Sequence, residues 1–131
     1  MRIFLDANVL FSASNVGSAL HAFVHRLCEA HTVVTSFYAL DEARRNVTIK
    51  RPGWLDDFKG LTRCVECVLD APLRFDVVLA EKDRPILGAA IAAGCDYLLT
   101  GDKKDFGHLY NKEIGGVTVV SYTALAQKIL N

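Results

Sequence analysis

The chain has 131 residues, 51% of them apolar, with 15 basic side chains against 15 acidic ones. That length suits one domain, expected to span 1–131, and the apolar content excludes a disordered chain. A balanced net charge argues neither for nor against a nucleic-acid partner, since a local basic patch can serve a neutral protein. No apolar run reaches bilayer-spanning length, so no membrane association is expected. The start, MRIFLDANV, lacks a signal-peptide layout, which makes a cytoplasmic protein the expectation.

Residues 2–5 (RIFL) predict a short buried strand that stops at Asp6. Ser18 is placed to cap a helix running to about Ala30, with Leu20, Phe23, Val24 and Leu27 on its apolar face. Residues 32–35 (TVVT) predict a second strand. Ser36 then caps a helix through about Val47, and Pro52-Gly53 ends that region. A short helix around Leu55–Gly60 precedes a third strand over 63–69. Asp83-Arg84-Pro85 opens another helix, with Asp as its cap and Pro in its first turn, and Gly94 closes it. Residues 97–100 (YLLT) and 116–120 (GVTVV) predict the last two strands, and Ser121 caps a final helix over 122–130. Strands alternating with helices predict a three-layer α/β/α sandwich around a central parallel sheet.

Cys64 and Cys67 form a C-x-x-C, but their flanks, RCVECVLDAP, read as a strand, whereas a redox motif needs a helix N-terminus. Cys28 and Cys95 supply no matching pair for zinc, so the thiols are expected to be reduced and buried as small apolar groups. His21 and His25 in HAFVH lack the glutamate of a zinc-protease helix and read as a helix face. No phosphate loop and no dinucleotide-binding glycine motif is present.

The acids carry more. Open parallel sheets bind ligands beyond the carboxyl ends of their strands. Asp6 follows the first strand directly, and Asp102 follows the fourth after Gly101. Glu42 lies about two turns into the helix after the second strand, and Asp83 opens the helix leading into the fourth. Helix N-termini in such units lie at the same sheet edge, so four carboxylates from distant segments can converge. Converging carboxylates repel, and they stay ionised only if cations neutralise them. Hard oxygen ligands favour Mg2+ or Mn2+, and such ions can clamp a phosphodiester and activate a water. Singly, each acid also fits a structural role: Asp83 as an N-cap, Glu42 as a solvated helix residue, Asp102 and Asp105 as turn residues. Asp6, ending a buried strand, is the hardest to explain that way.

The segments 3-IFLDANVLFSA-13, 36-SFYALDEARRNV-47, 83-DRPILGAAIAAGCDYLLTGDKKDF-106 and 116-GVTVVSYTAL-125 together resemble the PIN-domain nucleases over nearly the whole chain. The resemblance implies an α/β sandwich with a parallel sheet and Mg2+- or Mn2+-dependent ribonuclease activity. It implies Asp6, Glu42, Asp83 and Asp102 as the catalytic and metal-holding quartet, with Asp105 as an accessory acid. Asn8 and Thr100 would orient the acids or bound water by hydrogen bonds. Lys103, Lys104, Lys82 and Arg84 flank the acids, and Arg44, Arg45, Lys50 and Arg51 cluster near Glu42. Either group could position an RNA backbone, single-stranded or structured, or be plain surface charge. Two settings fit such a ribonuclease: a toxin held by an antitoxin, as in VapC-like proteins, or an RNA-processing enzyme. Many relatives are homodimers. The competing expectation is a non-catalytic module that binds nucleic acid or a protein partner.

Overall fold

Ile3, Phe4 and Leu5 are all fully buried. Successive side chains of a strand point to opposite faces, so both faces of the sheet are covered there. In this computed structural model, which describes residues 1–130, that strand is β1 (Arg2–Leu5). The chain continues through α1 (Ala7–Ala13), α2 (Ala19–Ala30), β2 (Thr32–Ser36) and α3 (Phe37–Lys50). A 3-10 turn at Pro52–Trp54 leads into α4 (Leu55–Thr62) and β3 (Glu66–Val68). Next come α5 (Arg84–Ala92), β4 (Tyr97–Leu99), α6 (Lys103–Phe106) and a second 3-10 turn, Gly107–Leu109. β5 (Glu113–Ile114), β6 (Val117–Val120) and α7 (Tyr122–Leu130) complete it.

The strand order is β3-β2-β1-β4-β6-β5, parallel throughout except for β5 against β6. From β1 the chain builds outward through β2 and β3, then returns to lay β4 on the other side of β1. The reversal opens a crevice beyond the carboxyl ends of β1 and β4, where ligands bind in folds of this kind. The architecture is the expected three-layer α/β sandwich, with one antiparallel edge strand added. Among the described residues, no helix is long and apolar enough to cross a membrane.

The expected serine caps form. Ser18, Ser36 and Ser121 accept from the backbone N–H groups of His21, Ala39 and Ala124 at 3.1, 3.2 and 3.2 Å. Gly94 closes α5 at a φ of 68°. Other elements depart from expectation. α1 was not foreseen because seven residues show too little periodicity; it starts at once after Asp6, whose side chain caps it. β3 is shorter than expected because Cys64 and Val65 are still turning, their N–H groups bonded to Leu61 and Thr62 carbonyls. α6 and β5, four and two residues long, are also too short to show a period. The β5–β6 hairpin turns on Gly115 and Gly116, both at positive φ, as a tight two-residue hairpin requires.

Cys95 is buried as expected, but Cys28 and Cys67 are half-buried and Cys64 is exposed. Cys64 Sγ lies 2.7 Å from Cys28 Sγ, a pairing of α2 with the turn after α4 that the linear spacing hides. Burial and the neighbouring thiol push Cys28 up to about 12, so it stays protonated at neutral pH.

In α5, a Cβ at Gly88 would collide with the backbone of Ala71 and Pro72, whereas one at Gly60 in α4 meets nothing within 4 Å. Gly88→Ala should therefore destabilise by about 1–3 kcal/mol. Gly60→Ala should stabilise by about 0.5–1 kcal/mol. Urea unfolding of the two variants checks the opposite signs.

Candidate active site

Asp6 sits where the strand order reverses. Its backbone N–H donates to Leu99 O of β4 at 3.0 Å, continuing the ladder one residue past β1. Its Oδ1 accepts from the Ala7 N–H at 2.7 Å. Its Oδ2 accepts from the Thr100 hydroxyl at 2.7 Å and from Asn8 Nδ2 at 3.3 Å. Asn8 Oδ1 in turn accepts from the Gly101 N–H at 2.9 Å, and Thr100 Oγ1 accepts from the Asp102 N–H at 3.1 Å. Asn8 and Thr100 thus knit the end of β1 to the turn after β4. Tyr110 donates its hydroxyl proton to Thr100 O at 2.9 Å and holds that turn from outside.

Asp102 caps α6, accepting from the Asp105 N–H at 3.1 Å through Oδ1. Asp83 behaves otherwise. It precedes α5, as expected, yet its side chain makes no capping bond, which overturns its reading as an N-cap. It is only 7% exposed, and its Oδ2 is buried with no hydrogen-bond partner. A buried carboxylate oxygen without a partner is costly, and a satisfied N-cap would not leave one. Carboxylate oxygens of Asp83, Asp102 and Asp105 lie within 4.8 Å of one another. Lys82 Nζ pairs with Asp105 Oδ2 at 3.1 Å, while the Lys82 carbonyl accepts from the Tyr38 hydroxyl of α3 at 2.9 Å. That contact ties α3 to the segment carrying Asp83.

Asp6, Glu42, Asp83 and Asp102 line one cavity of about 200 Å³, together with Asn8, Phe11, Asn46, Lys50 and Lys82. Glu42, Asn46 and Lys50 recur at i, i+4 and i+8 along α3 and so form one row facing it. Burial raises Asp6 to about 6, assisted by the charges of Glu42 and Asp102 and opposed by the bonds from Thr100 and Ala7. Burial raises Asp83 to about 7, with Lys82 opposing and Asp6, Asp105 and Asp102 assisting. The Lys82 ammonium holds Asp105 below the usual carboxylate range. The donors are all oxygens, one is orphaned, and two resist ionisation because they are buried beside other carboxylates. That set fits a hard divalent cation.

The basic residues divide. Lys82 and Lys50 line the cavity. Lys103 and Lys104 are exposed on α6 and are not among its lining. Arg45 pairs with Asp41 at 3.3 Å on the neighbouring, exposed row of α3. Arg84 donates to the carbonyls of Val77, Leu73 and Phe75 at 3.1, 3.3 and 3.4 Å, so it holds the preceding loop. Adjacent residues of a helix point in different directions, so its neighbour Asp83 can face the cavity while Arg84 does not. Phe11 and Asn46 were not singled out in the sequence; continuing the i+4 row from Glu42 would have found Asn46.

Without metal, folded Asp6 and Asp83 keep their protons above the ordinary value of 3.8, so the folded state binds more protons than the unfolded one. Stability should then fall as pH rises from about 4 to about 7. Mg2+ or Mn2+ should raise the thermal midpoint more at pH 7.5 than at pH 5, where protons hold the same oxygens. Thermal unfolding at both values, with and without metal, measures this; a metal-independent midpoint at pH 7.5 would count against cation binding.

The sequence matches no protein-family model and no curated protein. Among solved structures, VapBC2 from Rickettsia felis, bound to a DNA fragment from its promoter, contains a similar chain. The two share 18% identity at a TM-score of 0.70, covering 93% of this chain and 99% of that one. Mycobacterium tuberculosis VapC20, a toxin that cleaves the sarcin-ricin loop, is similar at 16% identity and a TM-score of 0.55, over 78% of this chain and 91% of that one. At these identities the likeness is one of fold, and the fold of this chain is that of the PIN-domain VapC proteins.

Proposed function

We propose that the chain is a divalent-metal-dependent ribonuclease of the PIN type, forming one catalytic domain. The observation that carries this reading is Asp83: its buried Oδ2 has no hydrogen-bond partner, and a carboxylate oxygen of the same residue lies within 4.8 Å of oxygens of Asp102 and Asp105. Asp6, Glu42, Asp83 and Asp102 would hold the metal, with Asp105 as an accessory acid. When bound, Mg2+ or Mn2+ supplies the charge that keeps these acids ionised, polarises a phosphodiester and lowers the pKa of a water. Thr100 and Asn8 restrict Asp6 Oδ2 to one orientation. Lys82 and Lys50, at the rim, offer cations to backbone phosphates. RNA as substrate is supported by likeness to VapC20, and an antitoxin as partner by likeness to VapBC2.

Cleavage of labelled single-stranded RNA with Mn2+, Mg2+ or EDTA tests the reading. EDTA should abolish cleavage, and Asp6→Asn should lower it by about 100-fold or more. Cleavage that survives in the variant would locate the activity elsewhere. A wild-type protein that binds metal yet cuts nothing would favour a binding module. Thr100→Val, which keeps the shape but loses the bond to Asp6, should lower metal affinity or activity by about 10- to 100-fold with the fold intact by circular dichroism.

A further inference from the structure

The cavity changes character along α3. Glu42 stands at its acidic end, and Asn46 and Lys50 follow at successive turns, about 12 Å from first to last at 1.5 Å per residue. Phe11 of α1 lines the same cavity. Its ring packs against Trp54 with centroids 5.4 Å apart and planes tilted by 42°. The Arg51 guanidinium lies over the Trp54 ring, 5.5 Å from its centroid. Phe11 and Trp54 are half-buried, while Lys50 and Arg51 are exposed. A pair of rings serving only to fasten α4 to α1 would need none of these polar neighbours. Here Phe11 lines the acidic cavity together with Asn46 and Lys50, and Trp54, packed on Phe11, carries the Arg51 guanidinium.

An aromatic surface rimmed by Arg and Lys suits a nucleobase with its phosphate, since bases stack on rings and guanidinium planes while ammonium groups meet the backbone. A duplex cannot present a base face to it without unstacking, whereas a single strand can. We infer that Phe11, Trp54 and Arg51, with Asn46 and Lys50 beside them, form a base-stacking subsite for a single-stranded RNA nucleotide flanking the phosphate held at the acids. The position of that phosphate rests on the ribonuclease reading above; the stacking does not.

Trp54 is the only tryptophan in the chain, so its fluorescence reports on the platform directly. The test is a titration of the full chain, in Ca2+ in place of Mg2+, with a single-stranded RNA octamer, the same octamer as DNA, an abasic octamer of equal charge, and an RNA duplex. The RNA octamer should quench Trp54 and bind at least as tightly as the DNA; the abasic strand and the duplex should quench little. Phe11→Leu should weaken the RNA octamer by about tenfold and leave the abasic strand unchanged. Arg51→Ala, at an exposed position, should weaken it by about threefold without disturbing the fold. Equal quenching by abasic and base-containing strands would overturn the stacking subsite, and DNA binding without RNA binding would overturn its assignment to RNA. No response to any strand, as expected of a face that serves a protein, would also overturn it. Cleavage without base-dependent quenching defeats the subsite alone; base-dependent quenching without cleavage defeats the ribonuclease reading and leaves the subsite standing.

Discussion

The hydrogen bond from Thr100 to Asp6 Oδ2 joins residues 94 apart in sequence, and the site depends on it. It can form only because β4 pairs directly with β1, which happens because the strand order reverses between them. Were β4 placed at an outer edge of the sheet, Asp102 would lie several strand widths from Asp6, and α5 would present Asp83 elsewhere. The apolar sheet therefore does chemical work at a distance. Burial of Ile3, Phe4, Leu5, Leu98 and Leu99 fixes the register that places two strand ends, and their acids, side by side.

That placement opposes itself electrostatically. Asp6 and Asp83 are desolvated, and the carboxylates around them add to the cost of ionising them. The chain offsets part of this with neutral donors at Asp6 and with Lys82 beside Asp105. Asp83 Oδ2 receives no such donor. The arrangement is under-neutralised, which separates it from an ion-pair network built for stability. Networks of that sort satisfy their members; this one leaves a buried carboxylate oxygen without a partner.

Much of the fold was legible because its longer elements carry their own punctuation. Serine caps before α2, α3 and α7 and the proline and glycine bounding α5 are local signals that the tertiary structure did not override. α1, α6 and β5 were not, since pieces of two to seven residues show no reliable period. Asp6 and Asp102 could be placed because each lies just past the end of a strand. Asp83 could be placed as well, although the local rule assigned its side chain a capping bond that it does not make. That Arg84 bonds to the preceding loop and Arg45 to Asp41 was not legible, because proximity in sequence is not orientation in space. Lys50 lies beyond the helix end expected near Val47, and its row with Glu42 exists only because α3 extends to it. The approach of Cys64 to Cys28 across 36 positions is a tertiary fact with no local trace.

The sheet ends in two very short strands, β3 with three residues and β5 with two. Glu66 and Glu113 on them are both exposed. An edge of that length offers an incoming strand few backbone partners, and the carboxylates oppose a dry, close-packed approach. Strand addition is therefore a poor route to self-assembly for this chain at either margin of the sheet, and runaway edge-to-edge aggregation is disfavoured. Association between copies would have to use helical faces, where contacts are side chain to side chain and can be specific.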